Sequence, residues 1–231
     1  KNNNVKFLRL DLADLDSVRA FADAFKSQYT KLDILINNAG VMMCPKLLTK
    51  QGLEMQFGCN HIGHFYLTNL LLNMIVASKG RIINLSSEAH RMFGAANGIN
   101  FDDINSEKSY SPYFAYGQSK LANVLFTKAL QKRVGKDVTV AAVHPGGVDT
   151  ELARHFNSVL KVIFLPIIKL TTKTPLQGAQ TSLHCALKPD LEQGSYFDNC
   201  KAVKSSEISY SEEQQEKLWA LSEEIIKKYT K

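Results

Sequence analysis

The sequence predicts an α/β fold, a doubly wound parallel sheet covered by helices on both faces. Short apolar runs such as DILINNAG (33–40) and GRIINLSS (80–87) alternate with longer segments in which apolar residues recur at helical spacing. Strands that alternate with helices are joined by right-handed crossovers, which produce a parallel sheet between layers of helices. The chain has 231 residues, 45% of them hydrophobic and 22% charged, so we expect one soluble globular domain spanning 1–231.

The elements follow in chain order from composition and capping. Residues 33–40 contain a short apolar run that closes on polar residues and glycine, and residues 80–87 contain one that ends in hydroxyls, which suggests buried parallel strands. Asp16 and Ser111 stand where helix caps are expected. We predict strands at 5–12, 33–40, 80–87, 138–146 and 194–199, and helices at 16–29, 52–78, 111–133, 175–187 and 211–229.

Charge and cysteine content narrow the functional classes. The net charge of +6 is spread along the chain without a block of five like charges, so we do not expect a nucleic-acid partner. The four cysteines (Cys44, Cys59, Cys185 and Cys200) lie far apart and form no CxxC pair. We therefore expect reduced thiols in a protein that is cytoplasmic or on a cytosol-facing membrane surface. With no signal peptide visible in the sequence, we do not expect secretion.

The most apolar stretch, 159–170, is too short to cross a bilayer. It has 12 residues and includes Lys161 and Lys169, whereas a span needs about 20 apolar residues. Core packing and a lid over an apolar substrate are equally good interpretations. Peripheral contact with a membrane is a third.

Polar residues stand at the predicted carboxyl ends of the strands. In an open parallel sheet, ligands bind at this edge. The ends carry Asp11, then 37–40 (NNAG), then Ser86 and Ser87, then Pro145 and Gly146. Several separate segments therefore converge on one predicted rim.

Tyr116 and Lys120 are four residues apart in the predicted helix at 111–133, so they lie on one face. A cation beside a phenol favours the phenolate, and we expect Lys120 to lower the pKa of Tyr116. With 8 tyrosines and 22 lysines, about one such pair occurs by chance. The spacing gains meaning only from the motifs around it.

Those motifs resemble the short-chain dehydrogenases/reductases. The elements NNAG (37–40), Asn60 in CNHIGHF, Ser87 at a strand end, Tyr116-x-x-x-Lys120 and PGGVDT (145–150) occur in that family's order and spacing. The segments FGCNHIGHFYLTNLLL, YGQSKLANVLFTKAL, VHPGGVDTEL and KTPLQGAQTSLHCAL resemble its retinol dehydrogenase branch. The resemblance covers nearly the whole chain and implies a Rossmann-type fold and an NAD(P)-dependent enzyme.

The resemblance implies four catalytic residues. Tyr116 would be the general acid/base, and Lys120 would lower its pKa and hold the nicotinamide ribose. Ser87, the later serine of its pair, would hydrogen-bond the oxygen of the substrate. Asn60 would complete a water-linked proton relay. The implied reaction interconverts an alcohol and a carbonyl group on an apolar substrate such as a retinoid, a steroid or a lipid aldehyde.

The resemblance also implies cofactor contacts and partners. Asp11 and Leu12 would contact adenine, Asn38, Ala39 and Gly40 would line the dinucleotide, and Pro145, Gly146, Val148 and Thr150 would lie at the nicotinamide. NADP is preferred over NAD only because the branch mostly uses it. A homodimer through the helices at 52–78 and 111–133 is implied on the same ground.

One expected motif is missing. The family's glycine-rich turn, TGxxxGxG, receives the pyrophosphate and does not occur in the 231 residues. We therefore expect a fragment that lacks the first two strands and the N-terminal βαβ portion, and that binds cofactor weakly alone. The strand at 5–12 would then lack a neighbour. A non-catalytic remnant, acting as a nucleotide sensor or an interaction protein, is the alternative function.

Two sites have plainer interpretations. Asn60 could instead hydrogen-bond backbone between elements. His61 and His64 are three residues apart on a helix but have no clustered cysteine or carboxylate, so we expect no metal site.

Overall fold

The computed structural model describes residues 4–93, 95–148 and 173–230. Its sheet has the order β1-β2-β3-β4-β5, with the first four strands parallel and β5 antiparallel to β4. The strands are β1 (Ile34–Asn37), β2 (Arg81–Leu85), β3 (Thr139–His144), β4 (Tyr196–Asp198) and β5 (Lys201–Val203). The predicted α/β fold with a parallel sheet is confirmed.

Helices cover both faces of this sheet. The α-helices are α1 (Leu15–Gln28), α2 (Met55–Phe57), α3 (His64–Ala77), α4 (Pro112–Val134), α5 (Pro175–Leu187) and α6 (Glu212–Tyr229). A π-helix occupies Gly58–Gly63, and short 3₁₀ helices lie at Glu88–Arg91, Ala95–Asn97, Phe101–Asp103 and Glu207–Tyr210. Helices α1, α3, α4 and α6 enclose the larger core, and α5 packs against the other face of β2 and β3.

Local chemistry explains where these helices begin. The Ser111 hydroxyl accepts from the Phe114 N–H at the start of α4, and proline follows it at the first helical position. Thr174 and Gln177 form a reciprocal capping box at the start of α5. The buried Glu54 carboxylate caps α2 by accepting from the Gln56 and Phe57 N–H groups.

The long helix predicted at 52–78 begins late and is not uniform. Residues before Glu54 lie outside it, and the π-helix separates α2 from α3. A π-helix inserts an extra residue into the hydrogen-bond ladder and is often found at functional sites. Here the insertion falls on the segment that contains Asn60.

The predicted strand at 5–12 is wrong. Residues 5–12 form no strand, and the side chains of Val5 and Phe7 are 74% and 89% exposed. A strand is stabilised by hydrogen bonds to a neighbour. Among the described residues no strand lies beside this segment, and β1 is the edge of the sheet.

Helix α4 is almost wholly enclosed within the chain. Every residue from Ala115 to Thr127 is buried, and α6 packs along it, with Arg133 of α4 pairing with Glu216 at 2.6 Å. The part of α4 from Ala115 to Thr127 is thus covered by the chain itself. A homodimer through the helices predicted at 52–78 and 111–133 stays a prediction.

Candidate active site

The carboxyl ends of β1, β2 and β3 bring the predicted rim residues together. Asn38 and Ala39 are exposed just after β1, Ser87 follows β2, and Pro145 and Gly146 follow β3, all half-buried or exposed. Lys120 reaches this edge from α4, because its Nζ donates to the Leu85 carbonyl at the end of β2, 3.2 Å away.

Tyr116 lies in the same place and is 4% exposed. The Ser87 side chain is near enough to its phenol to affect the pKa, and the Lys120 Nζ is 5.5 Å from the centre of its ring. Helix α4 approaches closely because Gly117 follows Tyr116. A Cβ at Gly117 would lie 2.8 Å from the Ala89 carbonyl oxygen, so a larger residue would push the helix away from the Ser87 turn.

Burial changes the expected acidity of this tyrosine. The prediction that Lys120 lowers the pKa of Tyr116 is wrong: burial raises that pKa to about 12, and only the nearby Ser87 side chain opposes the rise. Desolvation disfavours the charged phenolate. At neutral pH the phenol therefore holds its proton.

Lys120 is buried as well, at 6% exposed. Burial lowers its pKa from 10.5 to about 8, because an ammonium loses solvation inside the protein. The hydrogen bond to the Leu85 carbonyl uses one of its three N–H donors. Such an ammonium, held at the strand ends, suits a ligand that brings hydroxyl oxygens.

The two adjacent serines have different tasks. The Ser86 hydroxyl is buried and donates to the Lys120 carbonyl at 2.8 Å. The Ser87 hydroxyl is half-buried, accepts from the Ala89 N–H at 3.2 Å and reaches Tyr116. Only Ser87 therefore combines access from the rim with contact to the phenol.

Asn60 is fully buried in the π-helix, and its side chain is committed to the backbone. Its amide group donates to the Val41 carbonyl at 2.9 Å and to the Ser119 hydroxyl at 3.0 Å, and its oxygen accepts from the Val41 N–H at 2.9 Å. The side chain of Asn60 thus makes the hydrogen bonds to backbone between elements that the plainer interpretation predicts. Its main-chain carbonyl accepts from the His64 ring at 3.0 Å.

The loop after β1 depends on this arrangement. A Cβ at Gly40 would lie only 2.6 Å from the Asn60 Oδ1 and 3.8 Å from the Lys120 Nζ. Glycine therefore lets the backbone of the rim pass directly over both residues. Asn37, the last residue of β1, instead lies buried beneath this loop and bonds Thr68 and Asn84.

The residues present fit the nicotinamide and ribose end of a dinucleotide. The exposed loop at Asn38 and Ala39, the close backbone approach at Gly40 and the buried Lys120 ammonium form one continuous edge with Ser87. Asp11 is exposed at the start of α1 and lines a surface groove of about 420 Å³ with Leu8 and Arg9, whereas Leu12 is buried. The pyrophosphate-binding glycine turn is not in the sequence.

Two predicted cofactor contacts, Val148 and Thr150, lie at or beyond the end of a described range. Val148 is half-buried and forms an isolated bridge with Lys173, next to the rim. Thr150 and the apolar run 159–170 lie outside the described residues. No helix in the described ranges is both long and apolar enough to cross a bilayer.

Sequence reasoning missed three residues that shape this edge. Gln56 joins the Met43 N–H, the Tyr110 hydroxyl and the Pro112 carbonyl, at 2.7, 3.0 and 3.0 Å. His64 bonds the Asn60 carbonyl, and His90 bonds the Ser87 carbonyl at 2.6 Å. Their only sequence signal was nearness to Asn60 and Ser87.

Comparison with known proteins agrees with the fold and the motifs. A family model described as short chain dehydrogenase matches residues 1–160. Mouse retinol dehydrogenase 12 is 48% identical over 230 residues, which cover 98% of this chain and 71% of that protein. Human retinol dehydrogenase 14 is 45% identical over 225 residues, covering 94% of this chain and 65% of that protein.

Solved structures give the same result. A Mycobacterium paratuberculosis protein of uncharacterised function is 37% identical with a TM-score of 0.72, and the match covers 94% of this chain and 74% of that one. An NADPH-bound carbonyl reductase from chicken fatty liver is 21% identical with a TM-score of 0.56, covering 84% of this chain and 74% of that one. At that identity the second likeness concerns the fold alone.

Proposed function

The chain belongs to the short-chain dehydrogenase family of NAD(P)-dependent oxidoreductases, and we propose that Tyr116 is its acid/base catalyst. The observation that carries the proposal is the juxtaposition of three groups at the strand ends: the buried Tyr116 phenol, the Ser87 side chain that acts on its pKa, and the Lys120 ammonium 5.5 Å from the tyrosine ring. An acid positioned beside a reacting oxygen contributes about 10² to 10⁴-fold to such reactions.

The protonated state of Tyr116 favours reduction of a carbonyl group. Because its pKa is raised to about 12, the phenol carries the proton that a newly formed alkoxide needs. A nicotinamide cofactor, when bound at this edge, would supply the hydride. Ser87 then donates a hydrogen bond to the substrate oxygen, where negative charge develops.

The remaining site residues hold the cofactor and keep the rim in place. Lys120 binds the ribose hydroxyls, and Asn60 fixes the rim through Val41 and offers its main-chain carbonyl to the proton relay. Asp11, Asn38, Ala39, Gly40, Pro145, Gly146, Val148 and Thr150 contact the cofactor. Leu12 supports the cofactor site from beneath, because it is buried and its carbonyl oxygen packs against Gly63.

The substrate proposed is an apolar alcohol or carbonyl compound, a retinoid, steroid or lipid aldehyde, with NADP(H) as the preferred cofactor. Support comes from relatives described as retinol dehydrogenases, at 44 to 48% identity over at least 94% of this chain. The matched residues make up 65 to 71% of each relative.

Replacing the phenol tests the proposal. In protein expressed from the complete reading frame, Tyr116→Phe removes only the hydroxyl, so we expect the melting temperature to change little. We expect kcat for NADPH-dependent reduction of retinaldehyde to fall about 10² to 10⁴-fold.

Tyr113→Phe is the matched control. Tyr113 is on the same helix but is 45% exposed, so its replacement should leave turnover unchanged. If Tyr116→Phe kept more than about a tenth of the wild-type kcat, Tyr116 would not be the acid that the mechanism requires.

A further inference from the structure

His90 is a buried histidine with no part in the mechanism above. It lies in the 3₁₀ turn that Ser87 caps, and none of its side chain is exposed. Its Nδ1 is 2.6 Å from the Ser87 carbonyl oxygen, and its Nε2 is 3.0 Å from the Ser206 backbone nitrogen. One ring therefore joins Ser87 to a segment more than a hundred residues further along the chain.

The two partners fix the tautomer of this ring. A backbone N–H can only donate, so Nε2 must accept from Ser206. A carbonyl oxygen can only accept, so Nδ1 must carry the hydrogen that is donated to Ser87. The ring is neutral in this state, and burial lowers the pKa of His90 to about 4.

The surroundings hold the same connection from other directions. The Arg91 guanidinium donates to the Lys204 carbonyl and pairs with Glu88 at 2.7 Å. The ring of Tyr196 in β4 lies 4.8 Å from the His90 ring, and His144 of β3 is also close enough to affect the pKa of His90. The Ser87 turn is thus attached to residues 204–206 by two neighbouring side chains.

We propose that His90 is a positioning residue for Ser87. Its Nδ1–H bond fixes the Ser87 carbonyl, which also accepts from the His90 N–H at 3.1 Å, and so holds the Ser87 hydroxyl toward Tyr116. The Nε2 bond to Ser206 anchors the ring itself. The inference rests on the proposed role of Ser87.

Two substitutions separate the halves of the ring. In His90→Asn the amide nitrogen takes the place of Nδ1 and keeps the donor to Ser87, whereas His90→Gln places its amide near Nε2 and loses that donor. We expect kcat for retinaldehyde reduction to fall at least ten-fold in His90→Gln with little change in KM. His90→Asn should stay within about three-fold of wild type, because it keeps the donor to Ser87. The larger loss in His90→Gln follows because small displacements of catalytic groups have large effects on rate.

The control is Ser206→Ala. The Ser206 hydroxyl is buried without a hydrogen-bond partner among the described residues, and its N–H remains after substitution. We expect full activity from this variant. If the two variants lost kcat equally, and the loss followed the fall in their melting temperatures, His90 would have only a structural role. The inference would then fail.

A double-mutant cycle tests the link to Ser87 directly. In a Ser87→Ala background, which we expect to be slow, His90→Gln should cost no further kcat. A further ten-fold loss would overturn the positioning role while leaving the proposed function intact. Full turnover by Ser87→Ala alone would instead overturn the proposed function of Ser87, and the inference with it.

A spectroscopic readout is independent of turnover. In ¹⁵N-labelled histidine, long-range correlation spectra distinguish the two neutral tautomers and the charged ring. We expect the His90 signals to show the Nδ1–H tautomer at pH 7. The Nε2–H tautomer or a charged ring at that pH would contradict the proposed hydrogen bonds.

Discussion

The burial of Lys120 predicts that its replacement will stabilise the protein while destroying its proposed activity. Burial lowers its pKa from 10.5 to about 8, and each pKa unit corresponds to about 1.4 kcal/mol. The charged side chain therefore costs roughly 3 kcal/mol at pH 7. Lys120→Met keeps the length of the side chain and removes the charge, but loses the bond to Leu85, which contributes about 1 kcal/mol.

The net expectation is a gain of roughly 2 kcal/mol in the free energy of unfolding, or about 4 to 8 °C in Tm for a chain of this size. The gain must depend on pH in a definite direction. Because the pKa is lower in the folded state, the unfolded chain binds more protons between pH 8 and 10.5, and the penalty fades as the pH rises through that window. At pH 10 the gain should be below about 1 kcal/mol.

Urea denaturation of both proteins without cofactor, at pH 7 and pH 10, measures this difference. Lys227→Met, on the exposed side of α6, is the control and should change stability by no more than about 0.5 kcal/mol at either pH. A Lys120→Met protein that is less stable than wild type at pH 7, or equally stabilised at both pH values, would refute the reasoning.

Two further substitutions test the rim. Asn60→Ala leaves both the N–H and the carbonyl of Val41 without their partner, so we expect the free energy of unfolding to fall by roughly 3 kcal/mol in urea denaturation. A fall below about 1 kcal/mol would contradict the role assigned to that side chain. Gly40→Ala brings a Cβ to 2.6 Å from the Asn60 Oδ1 and should cost about 1 to 3 kcal/mol. Combined with Asn60→Ala the second cost should shrink, and strictly additive costs would show that the two residues are not in contact.

The sequence pattern predicts those elements that are stabilised by local capping or by burial of their own apolar residues. The strands at Ile34–Asn37, Arg81–Leu85 and Thr139–His144 lie within short apolar runs bounded by polar residues or glycine, and the helix at Pro175–Leu187 has both its cap and its spacing in the sequence. The segment 5–12 has the composition of a strand, but composition cannot supply the neighbour that a strand requires. Strand formation there depends on the rest of the sheet.

Other features depend on contacts between distant segments. The π-helix coincides with the bonds from Asn60 to Val41 and Ser119, which no local pattern shows. The hairpin between β4 and β5 turns at Asn199 and Cys200, both with positive φ (47° and 61°). Asn is common in such a turn, but Cys is not, so the sequence does not predict a turn at these residues. The acidity of Tyr116 was misjudged because sequence shows Lys120 at i+4 but not the burial around both.

The two polar doublets at the strand ends share one arrangement. In each doublet the first residue is buried and bonds a helix or its neighbouring strand, and the second is open to the rim. Asn37 is 2% exposed and bonds Thr68 of α3, while Asn38 is exposed.

Ser86 is buried and bonds the Lys120 carbonyl of α4, while Ser87 is open to the rim and touches Tyr116. The inner residues thus fasten α3 and α4 to the sheet, and the outer residues are left for a ligand. Burial and hydrogen bonding therefore give a structural reason for choosing Ser87 over Ser86, where the motif alone offered only its order in the sequence.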